Sequence, residues 1–111
     1  MPKRTNTIRA IIKQPGKKAG HVSRIMNDLE TLKKYVGGYI ETVPVCNGCV
    51  MVINENGKID DLPDNFIYGR TFPDMIKGTA VLVGTSGDEF TDCLLTMKLW
   101  KGLLRYWGNE V

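Results

Sequence analysis

Three cysteines and one histidine are the side chains of this chain best suited to bind a transition metal. Two residues separate Cys46 from Cys49, a spacing that lets two thiolates bind one zinc ion, and Cys93 and His21 would complete a tetrahedral site. A structural zinc site usually contains two paired elements, whereas here the other two ligands are single residues. We therefore expect no metal and three free thiols, with the zinc site as the alternative.

The same spacing of cysteines also occurs in thiol–disulfide oxidoreductases. Those enzymes place the first cysteine at a helix N-terminus, which stabilises the thiolate. Asn47 and Gly48 instead predict a β-hairpin with a type I′ turn, in which both central residues have positive φ. We expect Cys93 to be a small core residue, and His21 to have no catalytic role because no acid or nucleophile lies near it in sequence.

A second candidate site lies between the β-branched run 79–83 and a predicted helix, where free amides can bind an anion. No Lys-Ser/Thr pair follows, so the segment is not a P-loop, and Asp88 and Glu89 would repel a phosphate. A turn that caps the helix is the preferred interpretation. The alternative is a ligand site formed by this turn and the 61–78 segment, with the residues Gly84, Thr85, Ser86, Gly87, Tyr68 and Arg70.

The charge is unevenly distributed along the chain. Residues 1–35 carry nine Lys/Arg and two Asp/Glu, whereas residues 36–111 carry six and ten, and the net charge is +3. A basic segment can contact the phosphates of a nucleic acid. No aromatic residue is interleaved with these cations, so stacking on single-stranded bases is not indicated. We expect a mixed soluble surface and no nucleic-acid binding.

Hydrophobic periodicity and turn residues predict an α+β fold, with a mainly antiparallel sheet of about five strands and two helices packed on it. The predicted strands are 7–12, 21–26, 39–45, 50–53 and 79–83. The first helix has Asn27 or Asp28 as its N-cap, ends at Gly37 and Gly38, and buries a stripe of Leu29, Leu32 and Val36.

Two Asn-Gly pairs predict an antiparallel meander over about residues 39–60. Residues 61–78 contain Leu-Pro-Asp-Asn, Tyr-Gly-Arg and Phe-Pro-Asp, which are typical of turns. They predict a long ordered loop held by large apolar side chains, namely Leu62, Phe66, Ile67 and Phe72.

A final helix is predicted over 91–107, with Cys93 on its apolar face and three acidic residues at its N-terminus. The opposite face is basic, with Lys98, Lys101 and Arg105. This helix has more apolar residues than one face of a small domain requires. The preferred interpretation is that it covers the sheet. The alternative is an interaction surface for a homodimer or a host protein, formed by Trp100, Leu103, Trp107 and Met97.

The 111 residues fit a single domain, 1–111, with a flexible basic N-terminus at 1–6. No apolar run approaches the roughly 20 residues of a membrane span. The first residues lack the apolar core of a signal peptide, so we expect a cytoplasmic protein.

Four blocks of the sequence are fairly specific: Leu-Lys-Lys-Tyr-Val-Gly-Gly-Tyr-Ile-Glu at 32–41, Asn-Glu-Asn-Gly-Lys at 54–58, Leu-Pro-Asp-Asn at 62–65 and Gly-Thr-Ala-Val-Leu-Val-Gly at 78–84. Together they resemble a small domain-of-unknown-function family found largely in bacteriophages, plasmids and Firmicutes genomes. The resemblance covers roughly residues 7–92. It implies the kind of genome that encodes the protein, and it implies no chemical reaction. The chain departs from the family pattern in its paired cysteines and in its more apolar C-terminal helix.

From these observations we expect a non-enzymatic binding protein of a phage or mobile element, without a cofactor, that captures a host protein, including a component of antiviral defence. The location would be the cytoplasm of the host cell. The alternative is a small-ligand binder that sequesters a nucleotide or another anionic metabolite. A homodimer is compatible with either function.

Overall fold

The computed structural model describes residues 6–111, and this part of the chain contains eight strands and two helices. The predicted flexible N-terminus lies outside the described residues except for Asn6, whose carbonyl accepts a hydrogen bond from the Asn27 amide at 2.9 Å. In chain order, the elements are β1 (Thr7–Lys13), β2 (His21–Met26), α1 (Leu29–Val36), β3 (Ile40–Cys46), β4 (Cys49–Asn54), β5 (Asp64–Tyr68), β6 (Asp74–Lys77), β7 (Ala80–Ser86), β8 (Glu89–Thr91) and α2 (Met97–Tyr106).

The main sheet has six strands in the order β2-β1-β7-β4-β3, with β8 paired to the end of β7. Every pairing is antiparallel. Strand β7 lies at the centre, and its residues 80–83 are fully buried. Its continuous β-branched run is typical of a strand covered on both faces. The predicted α+β class, antiparallel sheet and central strand are therefore confirmed.

The sheet separates two layers of packing. Helix α1 covers one face, where Leu32 and Val36 contact side chains from β1, β4 and β7. Helix α2 and the β5–β6 hairpin cover the other face, and their core includes Phe66, Trp100 and Trp107. Because both faces of the central strands are covered, the solvent-exposed surfaces that remain are the edges of the sheet and the outer sides of the two covering layers.

Helix α1 follows the predicted pattern at both ends. The Asp28 carboxylate accepts a hydrogen bond from the Thr31 amide at 2.8 Å, which lowers the pKa of Asp28 and identifies it as the N-cap. Gly37 ends the helix with φ of 80°. The predicted buried stripe is correct for Leu32 and Val36 but wrong for Leu29, which is 55% exposed and lines a concavity together with residues of β1 and β8.

The predicted hairpin at Asn47-Gly48 is present between β3 and β4. Its predicted turn type is wrong, because only Gly48 of the two turn residues has a positive φ, 78°. A register shift leaves Val45 unpaired and places Cys46 opposite Cys49. The second Asn-Gly turn does not continue the meander: β4 pairs with β7 on its other side, and the chain leaves the main sheet after Asn54.

Residues 61–78 are not a loop, as predicted, but contain a second, two-stranded sheet formed by β5 and β6. Phe66 is buried as expected, and Leu62 and Ile67 are partly buried. Phe72 was predicted to hold the segment in place and is instead 88% exposed in the turn between the two strands. Strands β5 and β6 have five and four residues, and they are too short and too rich in turn residues for a clear alternation in the sequence.

Residues 84–96 also differ from prediction. Strand β7 continues to Ser86 and reverses into β8, so Gly84–Gly87 is not a strand-to-helix turn. Helix α2 begins at Met97, with Thr96 as its N-cap, and not at residue 91. Cys93 lies in the extended segment before the helix, where its amide donates to the Arg9 carbonyl at 2.7 Å. A long-range contact with β1 thus replaces the first turns of the predicted helix.

Candidate protein-binding surface

The inner face of α2 is part of the core. Trp100 is fully buried, Trp107 is 8% exposed, and the Trp100 indole N–H donates to the Ala19 carbonyl at 2.8 Å. Phe66 packs edge-on against Trp100 and stacks on Trp107 at 6.2 Å. Met97 and Leu103 are partly buried against the same cluster. Trp100 and Trp107 are therefore core residues that a partner could not reach, whereas Met97 and Leu103 keep part of their surface exposed.

Strand β5 is fixed to the end of α2 by one asparagine. The Asn109 side chain accepts from the Ile67 amide at 2.8 Å and donates to the Ile67 carbonyl at 2.8 Å, as a neighbouring strand would. It also donates to the Leu104 carbonyl at 3.1 Å. Tyr68 packs edge-on against Trp107, with ring centroids 5.0 Å apart. The hairpin and the helix consequently form one continuous layer.

The outer face of α2 carries two parallel stripes. Leu99, Gly102 and Tyr106 follow the i, i+3, i+7 spacing of one helix face, and all three are exposed. Leu99 is 59% and Tyr106 58% exposed. A Cβ at Gly102 would have no atom within 4 Å, so the centre of this stripe is open. An exposed helix face normally carries polar residues, and this one presents apolar side chains on either side of a gap.

The tip of the β5–β6 hairpin extends this apolar stripe. The Arg70 guanidinium lies 4.8 Å from the centroid of the Tyr106 ring, which joins the tip to the end of α2. Gly69 has φ of 87°, and a Cβ there would lie 3.3 Å from the Phe72 carbonyl oxygen, so the turn is tight. Phe72 therefore projects into solvent from a turn whose backbone is closely packed.

The second stripe is basic. Lys98, Lys101 and Arg105 lie at i, i+3 and i+7, and the ten residues of α2 include no acidic residue. None of these three cations, nor Arg70, forms an ion pair with any of residues 6–111, whereas the lysines on β6 and before β5 are paired with aspartates. We call the exposed residues of both stripes and the hairpin tip the α2 surface: Arg70, Phe72, Lys98, Leu99, Lys101, Gly102, Arg105 and Tyr106.

A basic concavity adjoins the α2 surface. Its volume is about 470 Å³, and its lining includes Lys17, Lys18, His21 and Lys101. The loop that carries the first two lysines is held by Lys13, whose buried ammonium donates to the Lys17 carbonyl and to the Asn65 side chain at 2.6 Å. The positive charge of α2 is thus continuous with the loop that follows β1.

An acidic concavity of about 630 Å³ lies beside α1 and β8. Its lining includes Asp28, Asp88, Glu89 and Asp92. Asp92 is already engaged, because its carboxylate accepts from the Arg9 amide at 2.7 Å and lies 3.5 Å from the Arg24 guanidinium. The acidic concavity and the basic concavity beside α2 therefore carry charges of opposite sign.

The predicted ligand site is not assembled by the fold. Gly84–Gly87 lies in the β7–β8 hairpin. The Thr85 amide there donates to the Gly48 carbonyl and is therefore not free to bind an anion. Tyr68 is directed elsewhere, with its hydroxyl donating to the Pro44 carbonyl. Arg70 is at the hairpin tip against Tyr106. Only Arg70 of the six predicted ligand residues belongs to the α2 surface.

The four metal-ligand candidates are divided between two places. Cys49 and Cys93 are in contact, with their Sγ atoms 3.9 Å apart, and Cys46 lies opposite Cys49. His21 is on β2, three strands away from β4 in the sheet, which corresponds to about 14 Å. Among residues 6–111, no three His, Cys, Asp or Glu side chains are arranged to hold a metal ion.

Parts of the α2 surface could have been recognised in the sequence. The spacing of Leu99, Gly102 and Tyr106 is visible there, but the larger apolar area of the two tryptophans dominates the hydrophobic pattern of the helix. The hydrophobicity of Phe72, next to Pro73, is the sole reason for the prediction that it holds the 61–78 segment. Its exposure depends on the length of the β5–β6 hairpin, which the sequence pattern did not reveal.

Comparison with known proteins identifies the family to which this chain belongs. Within the described residues, neither helix is long and apolar enough to cross a membrane. No curated protein and no solved structure matches the chain. A family model described as a domain of unknown function, DUF3846, matches residues 8–104, which include seven complete strands, α1 and most of α2. The chain therefore belongs to the DUF3846 family.

Proposed function

We propose that this chain is a non-enzymatic binding protein whose α2 surface captures an acidic partner protein. The observation that supports the proposal is an exposed helix face with apolar residues in one stripe and unpaired cations in the next. The fold uses the other face of α2 for its own core, and of the apolar stripe only the Tyr106 side chain takes part in a described contact, with Arg70.

The apolar stripe would supply most of the affinity. Leu99, Tyr106 and Phe72 are each more than half exposed. Burying the exposed part of each side chain in an interface is worth about 1–2 kcal/mol. Gly102 would let a partner's backbone approach between Leu99 and Tyr106. Aromatic residues and arginine are the types that most often dominate interfaces, and Tyr106 and Arg70 are already held in one arrangement by their mutual contact.

The basic stripe would select the partner. Four cations without an acidic counterpart favour a partner with exposed carboxylates, and such complementarity mainly raises the association rate and excludes basic proteins. Leu99 is an aliphatic side chain and can neither bind a phosphate nor stack on a base, which are the contacts that a single-stranded nucleic acid offers. The aliphatic part of the stripe therefore favours a protein over a nucleic acid.

The proposal also concerns the kind of genome that encodes the protein. The resemblance to a family of phages and plasmids supports a protein encoded by a mobile element and acting in the host cytoplasm. Its partner would then be a host protein, and a component of antiviral defence is the partner that a mobile element gains most from capturing.

The experiment is a pull-down from host cells with the tagged full chain, followed by measurement of affinity for the purified partner. We expect the double variant Leu99→Asp/Tyr106→Asp to weaken binding by a factor on the order of 100, since each buried apolar contact is worth about 1–2 kcal/mol. Leu94→Asp is the matched control, because Leu94 is 85% exposed and lies outside the α2 surface.

Three results would contradict the proposal. The double variant could retain the same partner with unchanged affinity, the control could lose it equally, or capture could be abolished by nuclease. Native mass spectrometry of the purified chain tests the homodimer separately: a dimer lost on raising salt would indicate that the basic α2 surface docks into the acidic concavity of a second copy.

A second candidate function is the binding of a small anion. The observation that favours it is the basic concavity, where Lys17, Lys18, His21 and Lys101 line one space. Titration with inorganic phosphate and with a nucleoside triphosphate, followed by native mass spectrometry, tests this function. Lys18→Glu/Lys101→Glu should abolish a bound ligand, and retention of the ligand by this variant would exclude the concavity as its site.

A further inference from the structure

The three cysteines lie in one row that runs from the surface into the core. Cys46 is exposed, Cys49 is 4% exposed, and Cys93 is fully buried. The register shift after Pro44 sets Cys46 directly opposite Cys49 across the β3–β4 turn. The Cys49 and Cys93 sulfur atoms are 3.9 Å apart. Cys49 is thus the middle member of a chain of three thiols.

The contact between Cys49 and Cys93 depends on Gly84. Cys49 pairs with Gly84 of β7, and Gly84 pairs in turn with Thr91 of β8. A Cβ at Gly84 would lie 2.2 Å from the Asp92 carbonyl oxygen, so glycine at this position lets residues 91–93 pack against β7 and brings Cys93 to Cys49. A disulfide requires an S–S distance of about 2.0 Å, so the two sulfur atoms must approach by roughly 1.9 Å, which rotation of two side chains can supply.

The buried pair is also prepared for reaction electrostatically. The hydrogen bond between the two thiols lowers the pKa of Cys93 to about 7 against the opposing effect of burial, with further help from the Leu95 amide and the Arg9 guanidinium. The same hydrogen bond raises the pKa of Cys49, and burial raises it further. Cys93 is therefore the more acidic thiol of the pair, and Cys49 keeps its proton more firmly.

We propose that the three cysteines form a thiol relay, in which Cys46 reacts with a low-molecular-weight disulfide such as glutathione disulfide and the oxidation is transferred to a buried Cys49–Cys93 disulfide. The exposed thiol is the point of entry, and the contact between the two buried thiols is the product site. The relay is independent of the α2 surface and of the function proposed for it.

Each step is an ordinary thiol–disulfide exchange. The Cys46 thiolate attacks glutathione disulfide, forms a mixed disulfide and releases one glutathione thiolate. Cys49 attacks the Cys46 sulfur, and its proton goes to the second glutathione, which leaves as a thiol. The Cys93 thiolate then attacks the Cys49 sulfur and releases the Cys46 thiolate. Two protein thiols are oxidised, and one glutathione disulfide is reduced to two glutathione molecules.

The test uses the reduced full chain treated with glutathione disulfide, quenched with acid, alkylated with N-ethylmaleimide and analysed by peptide mass mapping. We expect a Cys49–Cys93 disulfide, a mass loss of about 2 Da for the two hydrogens removed, and alkylation at Cys46 alone. In Cys46→Ser the rate of disulfide formation should fall by a factor on the order of ten or more, since oxidant reaches the buried pair only when the fold opens.

Several outcomes would overturn the relay. Oxidation could stop at the glutathione adduct of Cys46, the final disulfide could join Cys46 to Cys49, or Cys46→Ser could oxidise as fast as the wild type. The mapping of the wild-type chain needs no substitution, so a variant that fails to fold does not remove the test. Thermal unfolding of Cys46→Ser before oxidation serves as the control for its fold.

Discussion

Gly84 is a position where one added methyl group should disturb the fold strongly. A Cβ at this position would lie 2.2 Å from the Asp92 carbonyl oxygen and 2.7 Å from the Thr91 hydroxyl oxygen. Ordinary van der Waals contact begins near 3.4 Å, so the backbone at Asp92 would have to move by about 1.2 Å. The atom that must move is a backbone carbonyl, which cannot rotate away as a flexible side chain can.

The loss of stability expected for Gly84→Ala follows from the hydrogen bonds that this movement breaks. The Cys93 amide bonds the Arg9 carbonyl and the Arg9 amide bonds the Asp92 carboxylate, each at 2.7 Å, and a shift of 1.2 Å lengthens both beyond hydrogen-bonding distance. Each lost bond is worth about 1 kcal/mol, and overpacking adds about 1–3 kcal/mol. We therefore expect Gly84→Ala to lower the free energy of unfolding by about 3–5 kcal/mol.

Urea denaturation monitored by tryptophan fluorescence measures this change, because both tryptophans are buried in the layer that the segment joins. Gly102→Ala is the matched control. A Cβ there meets no atom within 4 Å, and alanine favours a helix over glycine by about 1 kcal/mol, so this variant should be more stable than the wild type. A Gly84→Ala protein within about 1 kcal/mol of the wild type would refute the close packing of β7 against residues 91–93.

Three further variants test other parts of the fold by the same denaturation. Asn109→Ala removes three hydrogen bonds between the C-terminal segment, Ile67 and Leu104 and should cost about 2–3 kcal/mol, whereas an unchanged midpoint would mean that β5 is held by the aromatic cluster alone. Thr96→Ala removes the N-cap bond to the Leu99 amide and should cost about 1 kcal/mol, with Thr71→Ala in the exposed hairpin turn as a neutral control. Lys13→Met should cost about 2 kcal/mol by removing the contacts of a buried ammonium with the Lys17 carbonyl and Asn65. Burial lowers the pKa of Lys13 below 10.5, so between the folded and the unfolded pKa the unfolded chain binds more protons than the folded chain. The wild type should therefore gain stability relative to Lys13→Met as pH rises through that interval. A stability difference that does not depend on pH would contradict the burial of this amine.

Local patterns predicted the elements that depend on local interactions. Asp28 and Gly37 define the ends of α1 through bonds within its own first and last turns. The run 79–83 identifies the central strand because only a strand covered on both faces is apolar at every position. The Asn-Gly pair at 47–48 located the β3–β4 hairpin, although not its turn type or the shift that brings Cys46 opposite Cys49.

The candidate sites depended on contacts that no local pattern contains. The periodicity of 91–107 favours a helix throughout, yet the bond between Cys93 and Arg9, 84 residues apart, keeps its first part extended. The same hydrophobicity that predicted burial for Phe66 predicted it for Phe72, which lies on the exposed turn of the same hairpin.

By itself, therefore, the sequence determined the α+β class, the central strand and the capped first helix, because spacing and caps act over a few residues. The tertiary structure alone decided which stripe of α2 is exposed and which cysteines are in contact. Hydrophobicity predicts that a side chain is buried, but the surface against which it packs depends on contacts between segments that are distant in sequence. Here those contacts join β1 to residues 92–95 and β5 to the end of α2.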